Sequence, residues 1–398
     1  MRHITLIILL AFVSLDFAAQ TNSGCDGSRY RYRVFNDFTV DYDVQYGSNI
    51  TASGSNIALV MDIYRPLGDV NPNRPVVVAA HGGFFLAGSN DGTDIVPICQ
   101  DLARMGYVVA SISYRLGIDN FFDLATSLQE AAMRGVQDAK AAIRFFRKTH
   151  AVEGNPWGID PTRIVLGGSS AGGFIALHAA YIDNLGEIPP SVDLTANGLN
   201  GGLEGVSGSP GYSSTPLSIF SFSGAIGDAN WIAAGDIPVV STHGTADGTV
   251  PFGTGYVSLL GLSVIQVDGS ETIHNRADLL GIDNCFHVFP GADHTPHDGS
   301  YAYYDTTRAV MAGFTSRQVC PMYPPQCGWY DVDAPPIVPD TCPEDIVSDG
   351  IITVADVLAL LGQFGCTVNC TADVDGDGFV TVADVLAVLA VFSNICPI

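Results

Sequence analysis

Gly168-Ser169-Ser170-Ala171-Gly172 sets a serine between two glycines at the spacing G-x-S-x-G. Glycine at both flanks permits a sharp strand-to-helix turn that a Cβ would obstruct, and that turn lifts the serine hydroxyl toward the positive end of a helix. A hydroxyl is a poor nucleophile until a base takes its proton, so the motif requires a histidine oriented by a carboxylate. Downstream, Asp247 stands in His243-Gly-Thr-Ala-Asp247-Gly-Thr-Val-Pro251 and His294 in Gly291-Ala-Asp-His294. Ser170, Asp247 and His294 therefore run in the order nucleophile, acid, base. His297 sits further from its strand end and His243 precedes the acid, so His294 is preferred over both as the base. Asp293, adjacent to His294, is expected to point elsewhere. A carbonyl under attack also needs donors for its oxyanion. The backbone N–H groups of Gly82 and Gly83, in His81-Gly82-Gly83, and of Ala171 are the candidates.

The elements that must hold these residues are readable around them. Pro75 to His81, Tyr107 to Tyr114, Arg163 to Leu166, Ile237 to Thr242 and Phe286 to Phe289 are short apolar runs suited to buried strands. Leu124 to His150 carries apolar residues at helical spacing, and Phe174 to Tyr181 is helix-compatible. Strands alternating with helices predict an α/β fold with a mostly parallel sheet flanked by helices. The acid and base then fall on loops at carboxyl ends of strands, where open α/β sheets place their sites. Pro189 to Thr215, rich in Gly, Ser and Pro, reads either as a loop over the site or as a long surface connection.

With 398 residues, 47% of them hydrophobic, the chain can build a large core and an appendage. Asp and Glu number 41 against 17 Lys and Arg, a formal charge of -24, which argues against nucleic-acid binding. Met1-Arg2-His3, the apolar run Ile4 to Leu15 and the small pair Ala18-Ala19 read as an export signal over residues 1–19, cleaved before Gln20. No integral membrane segment is expected in the mature chain, which is read as secreted. The nine cysteines fit an oxidising, extracellular destination. No Lys or Arg follows Arg317, and residues 319–341 turn to Pro, Asp and Tyr, the composition of a linker.

Beyond that stretch the chain repeats itself: Ile352-Thr-Val-Ala-Asp-Val-Leu-Ala-Leu-Leu361 is echoed by Val380-Thr-Val-Ala-Asp-Val-Leu-Ala-Val-Leu389. Before the second copy, Asp373, Asp375 and Asp377 occupy positions 1, 3 and 5 of a twelve-residue calcium loop. Gly378 is at position 6, the Phe379 carbonyl at 7 and Asp384 at 12. The sister loop offers Asp345, Asp349, Ile351 and Asp356, but Val347 stands at its third position, so it should bind calcium weakly or not at all.

The stretches Asp62-Ile-Tyr-Arg-Pro, His81-Gly-Gly, Ser113-Tyr-Arg-Leu, Asp138-Ala-Lys-Ala-Ala-Ile-Arg and Gly158-Ile-Asp-Pro-Thr-Arg-Ile resemble the bacterial carboxylesterases of the α/β-hydrolase fold. The likeness is greatest to the feruloyl-esterase-like and hormone-sensitive-lipase-like branches. The resemblance implies an ester hydrolase with its nucleophile at Ser170, acid at Asp247, base at His294 and oxyanion glycines at Gly82 and Gly83. Phe84 departs from it, standing where many members carry a third glycine, with consequences for the acyl pocket. The two C-terminal loop-helix units resemble the dockerin module, which implies structural Ca²⁺ and a cohesin-like protein partner; a calcium-stiffened tail without a partner is the alternative. One disulfide per repeat is then expected, Cys342–Cys366 and Cys370–Cys396. The pairing of Cys25, Cys99, Cys285, Cys320 and Cys327 stays open, with at least one of these five unpaired.

These readings divide the chain into a signal (1–19), an α/β-hydrolase domain (26–318), a linker (319–341) and a dockerin-like domain (342–398). The expected activity is serine carboxylic-ester hydrolysis through an acyl-enzyme, on neutral esters such as acetyl or feruloyl esters of polysaccharides, or polyesters. No cofactor is expected for the chemistry. A serine peptidase of the same fold and a non-catalytic hydrolase-like binding protein are the rivals.

Overall fold

The computed structural model describes residues 24–118, 120, 122–334, 342–347, 350–367, 370–375 and 377–393. The predicted signal at 1–19, most of the distal linker, Asp349 and Cys396 lie outside them. Among the described residues, eight strands join in one sheet: β1 (Phe38–Ile50), β2 (Asn56–Pro66), β3 (Arg74–Ala80), β4 (Val108–Ile112), β5 (Ile159–Ser169), β6 (Ser218–Phe222), β8 (Val239–Gly244) and β11 (Asn284–Phe289). Their order is β1-β2-β4-β3-β5-β6-β8-β11, and only the pairs β1/β2 and β2/β4 are antiparallel. The mixed, mostly parallel sheet expected from the sequence is present.

Strand β3 shows why such runs read as central strands. All seven of its residues are buried. Val76 and Val78 face one core while Val77 and Ala79 face the other, so the period-2 pleat serves two apolar layers at once. Helices α2 (Leu124–Val152), α3 (Ala171–Tyr181) and α4 (Ser270–Leu280) contribute to the first layer; α1 (Val96–Arg104) and α5 (Tyr301–Val319) contribute to the second. A smaller antiparallel sheet pairs β10 (Leu262–Gly269) with β9 (Thr254–Leu259) and with β7 (Ala225–Ile226). No helix among the described residues is long and apolar enough to cross a membrane.

The insertion Pro189 to Thr215 resolves its two readings by doing both. Its first residues pack on Met133 and Ile182, and Pro189 and Val192 reach the pocket described below. The remainder is bound down onto α2: Arg134 donates to the Asn197 carbonyl, Gln137 to those of Leu199 and Gly202, and Arg144 to that of Gly208. Under it lies the fully buried pair Arg115–Asp138, whose guanidinium also donates to the Gly198 carbonyl at 2.5 Å. A buried ion pair is tolerated when further hydrogen bonds complete it, as these do.

The linker reading of 319–341 needs correction at its start. Cys320 is bonded to Cys25 and Cys327 to Cys285, Tyr323 and Val332 are buried, and the Tyr330 hydroxyl donates to the Arg31 carbonyl. Residues 320–334 are therefore a strap clamped to the α/β body; Pro and Asp composition signalled irregular backbone, and irregular backbone can still be packed. Among the described residues, Cys99 is free and buried.

In the C-terminal repeat, α6 (Val354–Leu361) and α7 (Val382–Ala390) are opened by matching capping boxes, Thr353 with Asp356 and Thr381 with Asp384. Ile352, Leu360, Ala372, Val380 and Val388 form a small shared core. The disulfide expectation fails here: Cys366 pairs with Cys370, not with Cys342. The Val380 N–H donates to the Cys366 carbonyl and Gly365 N–H to the Val380 carbonyl, so the end of the first repeat is drawn against the second and Cys366 lies beside Cys370. The bridge thus spans the junction between repeats rather than stapling each one. Cys342 is also disulfide-bonded.

Candidate functional site

The turn at Ser170 follows from the close approach that its glycines allow. A Cβ on Gly168 would lie 2.4 Å from the Ala80 carbonyl oxygen, and one on Gly172 would lie 2.0 Å from the same atom. Between them Ser170 takes φ 51°, a conformation rare for a side-chain-bearing residue and held here by its N–H bond to the Phe222 carbonyl at 2.7 Å. Helix α3 begins at the next residue.

Asp247 follows β8 and His294 follows β11, two neighbouring parallel strands. Their loops bring both residues to Ser170. The Ser170 hydroxyl donates to His294 Nε2 at 2.8 Å, and His294 Nδ1–H donates to Asp247 Oδ2 at 2.7 Å. Burial alone would raise the Asp247 pKa, but hydrogen bonds from His243, His294 and the Val250 N–H hold it well below the usual carboxylate range. Its charge is therefore available to an imidazolium at His294.

The competing residues are placed elsewhere. His297 is buried against Phe222 and donates through Nε2 to the Asp94 carbonyl at 3.2 Å; burial pushes its pKa down to about 4. Asp293 accepts the N–H groups of Gly248 and His294, pointing away from the imidazole as expected. His243, set aside on chain order, also contacts Asp247.

The oxyanion donors need one correction. Gly82 N–H is already bonded to Asp94 Oδ2 at 2.7 Å, so it is not free for a substrate oxygen. The N–H groups of Gly83, Phe84 and Ala171 have no acceptor among the described residues. Phe84, rather than Gly82, thus offers an unengaged N–H beside Gly83. Phe84 and Phe85 both take positive φ, 57° and 59°. The loop that imposes this is held by the Tyr114 hydroxyl on the His81 carbonyl at 2.9 Å and by Tyr114 stacked on the His81 ring. Sequence reading treated Phe84 as a side chain that departs from glycine; a backbone donor does not depend on that side chain, and the signal was the position itself.

Ser170 opens into a predominantly apolar pocket. Its walls come from the oxyanion loop (Phe84), α2 (Leu128, Ala132), α3 (Phe174), the insertion (Val192) and the small sheet (Ile265). No charged side chain lines it among the described residues. His178 in the wall donates through Nδ1 to the Phe174 carbonyl and accepts the Gly227 N–H on Nε2; burial pushes its pKa down to about 4, so it is neutral at ordinary pH.

In the C-terminal repeat, Asp373, Asp375 and Asp377 each offer an oxygen within 4.8 Å of the others. Calcium–oxygen distances of about 2.3–2.6 Å put two ligands on one ion up to about 5 Å apart, so these three fit a shared ion. Asp384 Oδ1 accepts from Val374 and Asp375 N–H while Oδ2 accepts from Thr381, tying the end of the loop to its start. Asp356 does the same for Val347 and Thr353. Asp345 accepts the Gly350 N–H, Ile351 follows that turn, and the Phe379 N–H donates to Asp377.

A family model described as BD-FAE matches residues 61–200. Carboxylesterase 3B of Mus musculus is 37% identical over 125 residues, 30% of this chain and 20% of that protein. "Probable carboxylic ester hydrolase LipM" of Mycobacterium tuberculosis is 29% identical over 153 residues, 38% of this chain and 31% of that protein. The chain spans about a third or less of the length of the curated relatives it matches. Among solved structures, the apo form of Thermogutta terrifontis esterase 2 is similar over 73% of this chain and 97% of that one, with 24% identity and a TM-score of 0.49.

Proposed function

We propose that the chain is a serine carboxylesterase of the α/β-hydrolase type that works through an acyl-enzyme. The observation that carries this is the continuous line of hydrogen bonds from Ser170 through His294 to Asp247, beside three unengaged backbone donors. In this reading His294 takes the Ser170 proton as Oγ attacks the ester carbonyl. Asp247 stabilises the imidazolium, and Gly83, Phe84 and Ala171 N–H groups receive the oxyanion. The proton then passes to the leaving alcohol, and water repeats the sequence to release the acid. The match to a BD-FAE model and the likeness to named ester hydrolases support the same class.

An uncharged pocket favours a neutral acyl group, in keeping with acetyl or feruloyl esters of polysaccharides, or polyesters. The disulfides support an extracellular place of action. The test is a series of p-nitrophenyl esters from acetyl to hexanoyl, read with Ala132→Trp alongside. The parent is expected to turn over the longer members. Filling the pocket should lower kcat/KM for hexanoyl relative to acetyl by about tenfold or more, the order set by losing several buried methylenes. An unchanged ratio would place the acyl chain elsewhere.

For the C-terminal repeat, Asp373, Asp375 and Asp377 are the residues that would hold Ca²⁺, whose role would be to stiffen the loop. Calcium added to the whole chain is expected to raise the melting of this repeat, and EDTA to lower it, while p-nitrophenyl butyrate turnover stays constant. Loss of turnover on chelation would overturn this division of labour. A cohesin-like partner is supported by exposed apolar residues repeated at the same offsets, Leu358, Leu361 and Phe364 with Leu386, Leu389 and Phe392.

A further inference from the structure

We infer that His243 is a positioning residue for Asp247, forming with it and His294 a carboxylate that is gripped by two imidazoles on one oxygen. This rests on the reading of Asp247 and His294 given above. His243 is fully buried in β8, four residues before Asp247, and cannot itself touch a substrate. Its Nε2 lies 3.1 Å from Asp247 Oδ2 and 3.2 Å from the Val250 carbonyl. Both neighbours are acceptors, so Nε2 carries the proton. Its Nδ1 lies 2.8 Å from the Ser270 hydroxyl, at the start of α4, which donates to it.

Every donor in this chain therefore points toward Asp247. From one side Ser270 Oγ–H reaches His243 and His243 reaches Oδ2; from the other, Ser170 Oγ–H reaches His294 and His294 reaches the same Oδ2. The second oxygen, Oδ1, accepts the N–H groups of Thr249 at 2.8 Å and Val250 at 2.9 Å. With four donors in place, the carboxylate has no freedom to rotate and present Oδ1 to His294. The cost of this grip is that His243 draws on the negative charge that His294 also uses. The geometry of His294 therefore depends on His243.

The experiment compares His243→Leu, which removes the donor, with His243→Gln, whose amide N–H2 can occupy the place of Nε2. Rates are normalised by stoichiometric labelling of Ser170 with a fluorophosphonate, so that only folded enzyme is counted. His243→Leu is expected to lower kcat by about 10- to 100-fold with KM within about twofold, the pattern of a defect in the chemical step. His243→Gln should recover kcat to within about threefold of the parent.

Equal kcat in the Leu variant and the parent would overturn the inference. So would equal loss in the Leu and Gln variants, because both would then report packing alone. Failure of the underlying triad is distinguished by Ser170→Ala: if that variant still turns over ester, the reading and the inference fall together.

Discussion

Ser170→Ala is expected to lower kcat for p-nitrophenyl butyrate by about 10⁶-fold, the scale seen when a serine nucleophile is deleted from a triad. The loss is large because no neighbour can substitute. Ser169 is completely buried, and His294 Nε2 has its hydrogen bond with Ser170. What remains, about 10³-fold over uncatalysed hydrolysis, would come from the oxyanion donors and the pocket. Alanine fits the turn no worse in volume, so the melting temperature should stay within a few degrees. Turnover of a tenth of the parent or more in that variant would remove Ser170 from the mechanism.

The second large effect is Asp247→Asn, expected to reduce kcat by about 10⁴-fold with little change in KM. The structure fixes which way the amide turns. Two backbone N–H groups, of Thr249 and Val250, occupy the Oδ1 side, and only a carbonyl oxygen can meet them. The N–H2 group is therefore driven to the Oδ2 side, where it faces His294 Nδ1 and His243 Nε2. To accept from it, His294 must move its proton to Nε2, and an Nε2–H cannot take the Ser170 proton. The variant should fold, bind ester and fail at the chemical step. Parent-like kcat in Asp247→Asn would show that this carboxylate does not set the tautomer.

Much of this arrangement was legible because it is local. The strained turn at Ser170 is written in the flanking glycines, and β3, β5, β8 and β11 are short apolar runs whose ends carry the oxyanion loop, Ser170, Asp247 and His294. Closeness to the strand end separated His294 from His297, and chain order separated it from His243. The misses share a different cause. Whether Gly82 or Phe84 offers a free N–H depends on Asp94, whose side chain arrives from twelve residues away. The use of His243 depends on Ser270 and on the loop carbonyl of Val250, neither of which its own neighbourhood in sequence announces. Strands β1 and β2 have partly exposed residues interrupted by Asp, Gly and Asn, which obscures the apolar signal that edge-proximal strands need less strongly. The strap 320–334 was hidden because disulfide connectivity does not follow from spacing.

The bond between Cys25 and Cys320 joins points 295 residues apart. Covalently, the catalytic body is a ring rather than a line. A protease that nicks one exposed turn within it would leave both fragments attached, migrating as a single species until a reductant is added. The same closure holds the two ends of this body, at Cys25 and Cys320, side by side, so it is suited to circular permutation, with new termini opened at a surface turn and these two ends joined by a short peptide.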